Sequence, residues 1–312
     1  MPAATTGDAA EPRLRHSLAN GVSHAHFEWR PERRGQSASL CMVHATGFHG
    51  RVWDQVIHHL PGRHVFAIEQ RGHGRSQTVD FDGWADFGHD LAALAVALDL
   101  RGAVGIGHSM GAHALVQAAA YQPGRFSQLV LIDPTIFAPA DYHQPPPPPG
   151  TLHPAAARKN HFASAQAMFE RFAVRAPYNV FQRQALLDYC RHGLRPADGG
   201  GSGFQLACDP TFEGKIYPLA RQNLGIFASI RALQIPVLVL RARPGDPAIL
   251  PWDPLGSPTW PGLAQEFHHG RDLPLPDKTH MLPMEDPALV ARIINEAMGA
   301  VPDSLRGAGC SR

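Results

Sequence analysis

From residue 39 onward, short runs of Val, Ile and Leu alternate with longer stretches whose apolar residues recur every three or four positions. The runs Ser39–Val43, His64–Glu69, Ala103–Gly107, Gln128–Ile132 and Val237–Leu240 are too short for helices and too apolar for surface loops, so they predict buried strands. The stretches Val52–His59, Trp84–Leu98, Met110–Tyr121 and Pro287–Met298 predict helices that cover them. Strand–helix alternation of this kind implies an α/β fold, a largely parallel sheet with helices on both faces. Ahead of it, Arg13–Leu18 and Val22–Trp29 flank Asn20-Gly21, a dipeptide that favours a tight hairpin.

The alternation stops between Asp133 and Ile235. Residues 134–233 hold two amphipathic helical stretches, Ser164–Ala173 and Val180–His192, with a proline run at Pro145–Pro149 and a glycine run at Gly199–Gly203. The proline run reads as an extended polyproline spacer. The whole insert reads as a mainly helical cap between two core strands, laid over the strands' carboxyl ends. That leaves residues 13–133 and 234–300 as the core, 1–12 as a disordered tail and 301–312 as a C-terminal tail.

Charge narrows the partners. The 312 residues carry 28 Lys and Arg against 27 Asp and Glu, so no basic field exists to hold nucleic acid or a membrane surface. No apolar run approaches the ~18–20 residues of a membrane span. The first residues, Met-Pro-Ala-Ala-Thr-Thr-Gly-Asp, lack the basic start and apolar stretch of a secretory signal, which suggests a cytoplasmic protein. Cys41, Cys190, Cys208 and Cys310 have no paired spacing and read as reduced thiols, although Cys190 and Cys208 could meet in space. The histidine pairs His24/His26, His58/His59 and His268/His269 do not follow a zinc-ligand pattern, so no metal is expected.

Three short segments carry chemistry. Gly107-His108-Ser109-Met110-Gly111 follows a predicted strand and opens a predicted helix. A tight strand-to-helix turn exposes the Ser109 oxygen at a helix N-terminus, where a developing anion is favoured. Gly105-Ile106-Gly107 also begins like a dinucleotide fingerprint, but Met110 stands in its last glycine position. His44-Ala45-Thr46-Gly47-Phe48 follows the first core strand. An acyl-transfer site needs two preorganised N–H donors for its oxyanion, and Met110 and Thr46 are best placed to supply them. Asp277-Lys278-Thr279-His280 lies in a loop after an expected last strand and before the last helix, where a general base must hang to reach a serine at the strand tips.

In this order, with Arg71-Gly72-His73-Gly74-Arg75-Ser76 between the first two segments and Glu285 and Pro287 behind His280, the chain resembles the α/β-hydrolase superfamily, of the serine esterase or lipase type. The likeness covers roughly residues 38–135 and 235–300, and the insert stands where that family carries its cap. Two positions depart from the commonest pattern: Ala45 where Gly is usual, and Glu69 where Asp often stands. The resemblance implies a triad of Ser109, an acid and His280, with no cofactor or metal. The acid is implied at Asp246, in Pro244-Gly245-Asp246 after the strand that follows the insert, or at Asp133, in Leu131-Ile132-Asp133-Pro134 before it, with Asp253 a distant third. Asp246 has the commoner location.

The activity implied is hydrolysis of a carboxylic ester or lactone, a small and largely apolar molecule, through an acyl-enzyme on Ser109. The same triad also serves carbon–carbon bond hydrolysis, perhydrolysis and lyase chemistry on this fold, and a ligand-binding receptor is the non-enzymatic alternative. Phe162, Met168, Phe169, Phe172 and Tyr178 could line the substrate pocket, though aromatic residues at helical spacing more often form core. Oligomeric state leaves no mark in the sequence.

Overall fold

Asn20 and Gly21 adopt φ of 49° and 74°. A type I′ turn requires positive φ at both central positions, so the chain opens as a hairpin. Its arms are β1 (Arg13–Ala19) and β2 (Val22–Trp29), with Ala19 opposite Val22. The computed structural model describes residues 11–197, 202–246, 248 and 253–299. The core strands that follow are β3 (Leu40–Val43), β4 (Val65–Ile68), β5 (Ala103–His108) and β6 (Phe126–Ile132). Within the insert lie β7 (His161–Phe162), β8 (Leu194–Pro196) and β9 (Phe204–Leu206). The core resumes with β10 (Val237–Arg241) and β11 (Gly270–Pro274).

Among the described residues eight strands form one sheet in the order β1-β2-β4-β3-β5-β6-β10-β11. The first two junctions are antiparallel and the rest parallel. Side chains alternate between faces, and both faces are covered. On β3, Cys41 and Val43 meet the helices Trp84–Ala97 and Met110–Tyr121. Leu40 and Met42 meet Asp54–His58 and Pro287–Gly299. All four β3 residues are fully buried, which explains the unbroken apolar runs.

The structure departs from expectation in two places, and it gives bounds to the last strand expected before His280. The stretch from Val52 divides into a 3-10 turn, Gly50–Trp53, and a short helix, Asp54–His58. The insert is not only helical. Its helices Ala165–Phe172, Arg183–His192, Pro210–Ile216 and Ile226–Ala232 accompany a small antiparallel sheet, β7-β9-β8. Strand β11 has no apolar run because it is a half-exposed edge, held by pairing with β10 and by Arg241 on Asp272 at 2.8 and 2.6 Å. Pro145–Pro149 lies outside any helix or strand. Residues 1–10, 199–201 and 301–312 are outside the described residues, while Glu11 pairs with Arg51 at 3.1 Å. Cys41, Cys190 and Cys208 are free and buried. No helix among the described residues is long and apolar enough to cross a membrane.

Most of the interior histidines are held neutral. His73 donates Nδ1–H to the Arg71 carbonyl and accepts the Gly47 N–H at Nε2. His44 and His113 use their two nitrogens in the same divided way. A second proton would break the accepting bond. Burial lowers His26, His73 and His113 to about 4 and His108 to about 3, and drives His44 and His49 well below the ordinary range.

These folded values lie below that of the unfolded chain, about 6.5, so the unfolded chain takes up protons first as pH falls. Stability from these groups is complete above that value and is lost as pH drops through it. At pH 5 each such histidine removes roughly 2 kcal/mol. Asp54, which burial raises to about 7, and Glu69 and Glu213, also raised by burial, titrate in the opposite sense but are fewer. Urea melts should therefore give a free energy of unfolding several kcal/mol lower at pH 5 than at pH 7. Equal values at the two pH values would contradict neutral burial of these rings.

Candidate active site

Strand β5 ends at His108 and the next helix begins at Met110, so the whole reversal falls on Ser109. Its φ of 55° and ψ of −118° are strained for a side chain of any size. Close packing holds the turn. A Cβ at Gly107 would lie 2.5 Å from Ala112 Cα, and one at Gly111 would lie 2.4 Å from the carbonyl oxygens of Val43 and His44. The two glycines of the motif are thus steric requirements. Gly105 and Gly107 both lie inside β5 and form no phosphate loop.

His280 reaches the turn from the loop after β11. Its Nε2 stands 3.1 Å from Ser109 Oγ, and its Nδ1 donates to Asp133 Oδ2 at 2.6 Å. The loop is fixed on several sides. The His280 N–H donates to the Leu255 carbonyl at 2.9 Å, and Glu285 accepts from the Thr279 N–H and hydroxyl at 2.9 and 2.6 Å. His108, the unspecified second residue of the serine motif, donates Nε2–H to the His280 carbonyl at 2.7 Å.

The carboxylate on His280 is Asp133 and not Asp246, the position that spacing favours. Asp246 lies in an exposed turn, where its Oδ1 accepts the Ala248 N–H at 2.8 Å and its own N–H donates to Asp253. Asp253 faces Arg243 at 3.1 Å and the Leu255 N–H at 2.9 Å. Strands β6 and β10 run parallel with Ile132 opposite Leu240, so the residue after β6 sits beside the end of β10. A φ of 45° at Asp133 turns the chain there. The loop after β10 then supplies donors rather than the acid. Ala242 N–H and Ser257 Oγ donate to Asp133 Oδ1, at 3.0 and 2.5 Å, while Thr259 Oγ1 lies 3.2 Å from the same oxygen and donates to the Pro134 carbonyl at 2.7 Å. Burial pushes the Asp133 carboxyl up, but its bond to His280, the charge there and the Ser257 and Ala242 donors outweigh burial and hold it below the usual range.

Thr46 and Met110 come together, with Thr46 Oγ1 donating to Met110 Sδ at 3.3 Å. Among the described residues neither backbone N–H has a protein acceptor. Met110 is the first residue of a twelve-residue helix, so its N–H lies at the positive end of the helix dipole. The Thr46 loop is braced by the Arg71–Ser76 segment. His73 accepts the Gly47 N–H at 3.0 Å, Arg71 binds Asp90 through two nitrogens, and Glu69 accepts from the Gly50 and Arg75 N–H groups. Glu69 thus performs a structural task that its carboxylate can meet. Gly47, at φ 78°, also lets the insert approach, since a Cβ there would lie 2.4 Å from Glu213 Oε1.

Sequence reasoning missed Thr135, whose Oγ1 lies 2.9 Å from Ser109 Oγ, together with His108, Ser257 and Thr259. His108 fills the unspecified position of the serine motif, and the other three belong to no motif. Only the proximity of Thr135 to Asp133 hinted at it. The insert supplies aromatic residues above the Thr46 loop. Phe48 lies 5.2 Å from Tyr189 and 6.4 Å from His108, and Phe172 stacks on Tyr178 at 4.2 Å. Phe162, Met168, Phe169 and Phe172 are buried in the same cluster.

The arrangement suits acyl transfer, with a nucleophile, a base, an acid behind the base and two free N–H donors. Residues 42–293 match the alpha/beta hydrolase family. Lipase LipV of Mycobacterium tuberculosis is 35% identical over 113 residues, which cover 34% of this chain and 41% of that protein. Non-heme chloroperoxidase of Streptomyces lividans is 42% identical over 123 residues, 37% of this chain and 42% of that protein. The chain therefore spans about two fifths of the length of these relatives. The crystal structure of E-2-(acetamidomethylene)succinate hydrolase has the same fold, with a TM-score of 0.69 at 20% identity over 93% of this chain and all of that one. The family match runs from β3 into the last helix and takes in the serine turn, the insert and the histidine loop, so this chain belongs to the alpha/beta hydrolase family.

Proposed function

We propose that the protein is a serine hydrolase that cleaves a carboxylic ester or lactone through an acyl-enzyme. The observation that carries this reading is the unbroken hydrogen-bonded line from Asp133 through His280 to Ser109. Ser109 Oγ attacks the carbonyl carbon as its proton passes to His280 Nε2. Asp133 holds the imidazole in the tautomer with its proton on Nδ1 and stabilises the imidazolium. The Thr46 and Met110 N–H groups receive the oxyanion. The alcohol leaves with the proton from His280, and water, deprotonated in turn by His280, then releases the acid. None of these steps calls on a metal or a cofactor.

Residues 134–233 act as the cap that selects substrate. The aromatic cluster of Phe48, Phe172, Tyr178 and Tyr189 favours an apolar acyl or alcohol group. Buried free thiols and a near-neutral charge fit a cytoplasmic protein. The chloroperoxidase likeness favours a second reading, in which hydrogen peroxide replaces water as acceptor and a peracid leaves.

A panel of p-nitrophenyl esters of rising acyl length and a set of lactones, each with and without peroxide, tests the reading. Turnover of esters or lactones is expected. Phe172→Leu should change the ranking of acyl lengths more than the melting temperature. Peracid formed faster than acid would favour the second reading. A protein that binds these compounds without turning any over is a receptor, and the proposal then fails.

A further inference from the structure

Ser109 Oγ has two partners, His280 Nε2 at 3.1 Å and the hydroxyl of Thr135 at 2.9 Å. The direction of the second bond follows from counting protons. Asp133, held ionised by its donors, can only accept, so the His280 nitrogen that faces it carries the ring proton. His280 Nε2 is then an acceptor, and the Ser109 proton goes to it. Ser109 has no proton left for Thr135, so Thr135 is the donor.

Thr135 is held in place for this. It is buried, its N–H donates to the Ser109 carbonyl at 3.3 Å, and its own carbonyl accepts His113 Nδ1–H at 3.2 Å. His113 Nε2 in turn accepts the Asn223 amide at 3.0 Å. Among the described residues the Thr135 hydroxyl has no partner other than Ser109.

Resting on the serine-hydrolase reading, we infer that Thr135 is a further catalytic residue, whose hydroxyl donates to Ser109 Oγ when that oxygen carries negative charge. In acylation the bond from Oγ to the carbonyl carbon forms, the Ser109 proton moves to His280 and the carbonyl electron pair moves onto the oxyanion; that pair then returns, the bond from carbon to the alcohol oxygen breaks, and His280 gives its proton to the departing alcohol. In deacylation water adds, His280 takes its proton, and the bond from Oγ to carbon breaks with its electron pair returning to Oγ. His280 then returns a proton to Oγ. The Thr135 proton is never transferred. A donor weakens a nucleophile but assists a leaving group, so Thr135 acts mainly in deacylation, when Ser109 Oγ departs.

Pre-steady-state kinetics with a p-nitrophenyl ester separates the steps. Thr135→Val keeps the shape and removes the hydroxyl. It should lower kcat roughly 10- to 100-fold and leave a full burst of p-nitrophenol, the mark of an acyl-enzyme that forms but does not leave. Thr135→Ser should restore kcat. If the valine variant does not fold, Thr135→Ala is compared with Thr135→Ser in the same way. An unchanged kcat in Thr135→Val, or equal losses in the Val and Ser variants, overturns the inference. Failure of the underlying reading has a separate signature: wild-type protein that turns over no ester and takes no phosphonate on Ser109, which removes this inference too.

Discussion

Ser109→Ala should lose on the order of 10⁴-fold or more in kcat and remain folded. The substitution keeps Cβ, so the strained backbone at φ 55° and the fit between Gly107, Gly111 and their neighbours are unchanged. What disappears is the oxygen shared by His280 and Thr135. A serine-directed phosphonate should correspondingly form one adduct, on Ser109. The check is mass spectrometry of the labelled, digested protein, beside the melting temperature of the alanine variant. An adduct on another residue, or none with an active preparation, would remove Ser109 from the nucleophile's place.

Asp133→Asn should lose roughly 10²–10⁴ in kcat, whereas Asp246→Asn should be nearly normal. The size of the first effect follows from the two donors on Asp133 Oδ1, Ala242 N–H and Ser257 Oγ. They hold the amide oxygen of an asparagine on their side and turn its NH₂ group toward His280. The imidazole then has to accept at Nδ1 and carry its proton on Nε2, the tautomer that cannot take the Ser109 proton. Among the described residues Asp246 bonds only to Ala248 and Asp253, away from His280, so its charge should be dispensable. Steady-state kinetics of the two variants decides the matter. A crippled Asp246→Asn beside a nearly normal Asp133→Asn would mean that the acid follows β10.

Local stereochemistry is legible in a sequence because it acts between neighbours. Asn20-Gly21 specifies its hairpin through its own φ preferences. The apolar runs specify buried strands through their periodicity. Gly107 and Gly111 mark the serine turn because only a residue without Cβ fits there. The insert between Asp133 and Ile235 was legible as a break in the alternation, but its small sheet was not, since three short pairings leave no periodic trace. A last strand before His280 was expected, but its bounds were obscure for a related reason: an edge strand needs no apolar run.

The identity of the carboxylate behind His280 was beyond the sequence. Asp133 and Asp246 both follow core strands, and chain position cannot separate them. The separation is tertiary. Parallel register brings the end of β6 beside β10, a left-handed residue turns the chain at Asp133, and the loop after β10 aims two donors at it. Thr135 and His108 were hidden in the same way. Their partners lie 26 and 172 positions away along the chain, and a hydrogen bond between such residues exists only once the sheet has set the distance between them.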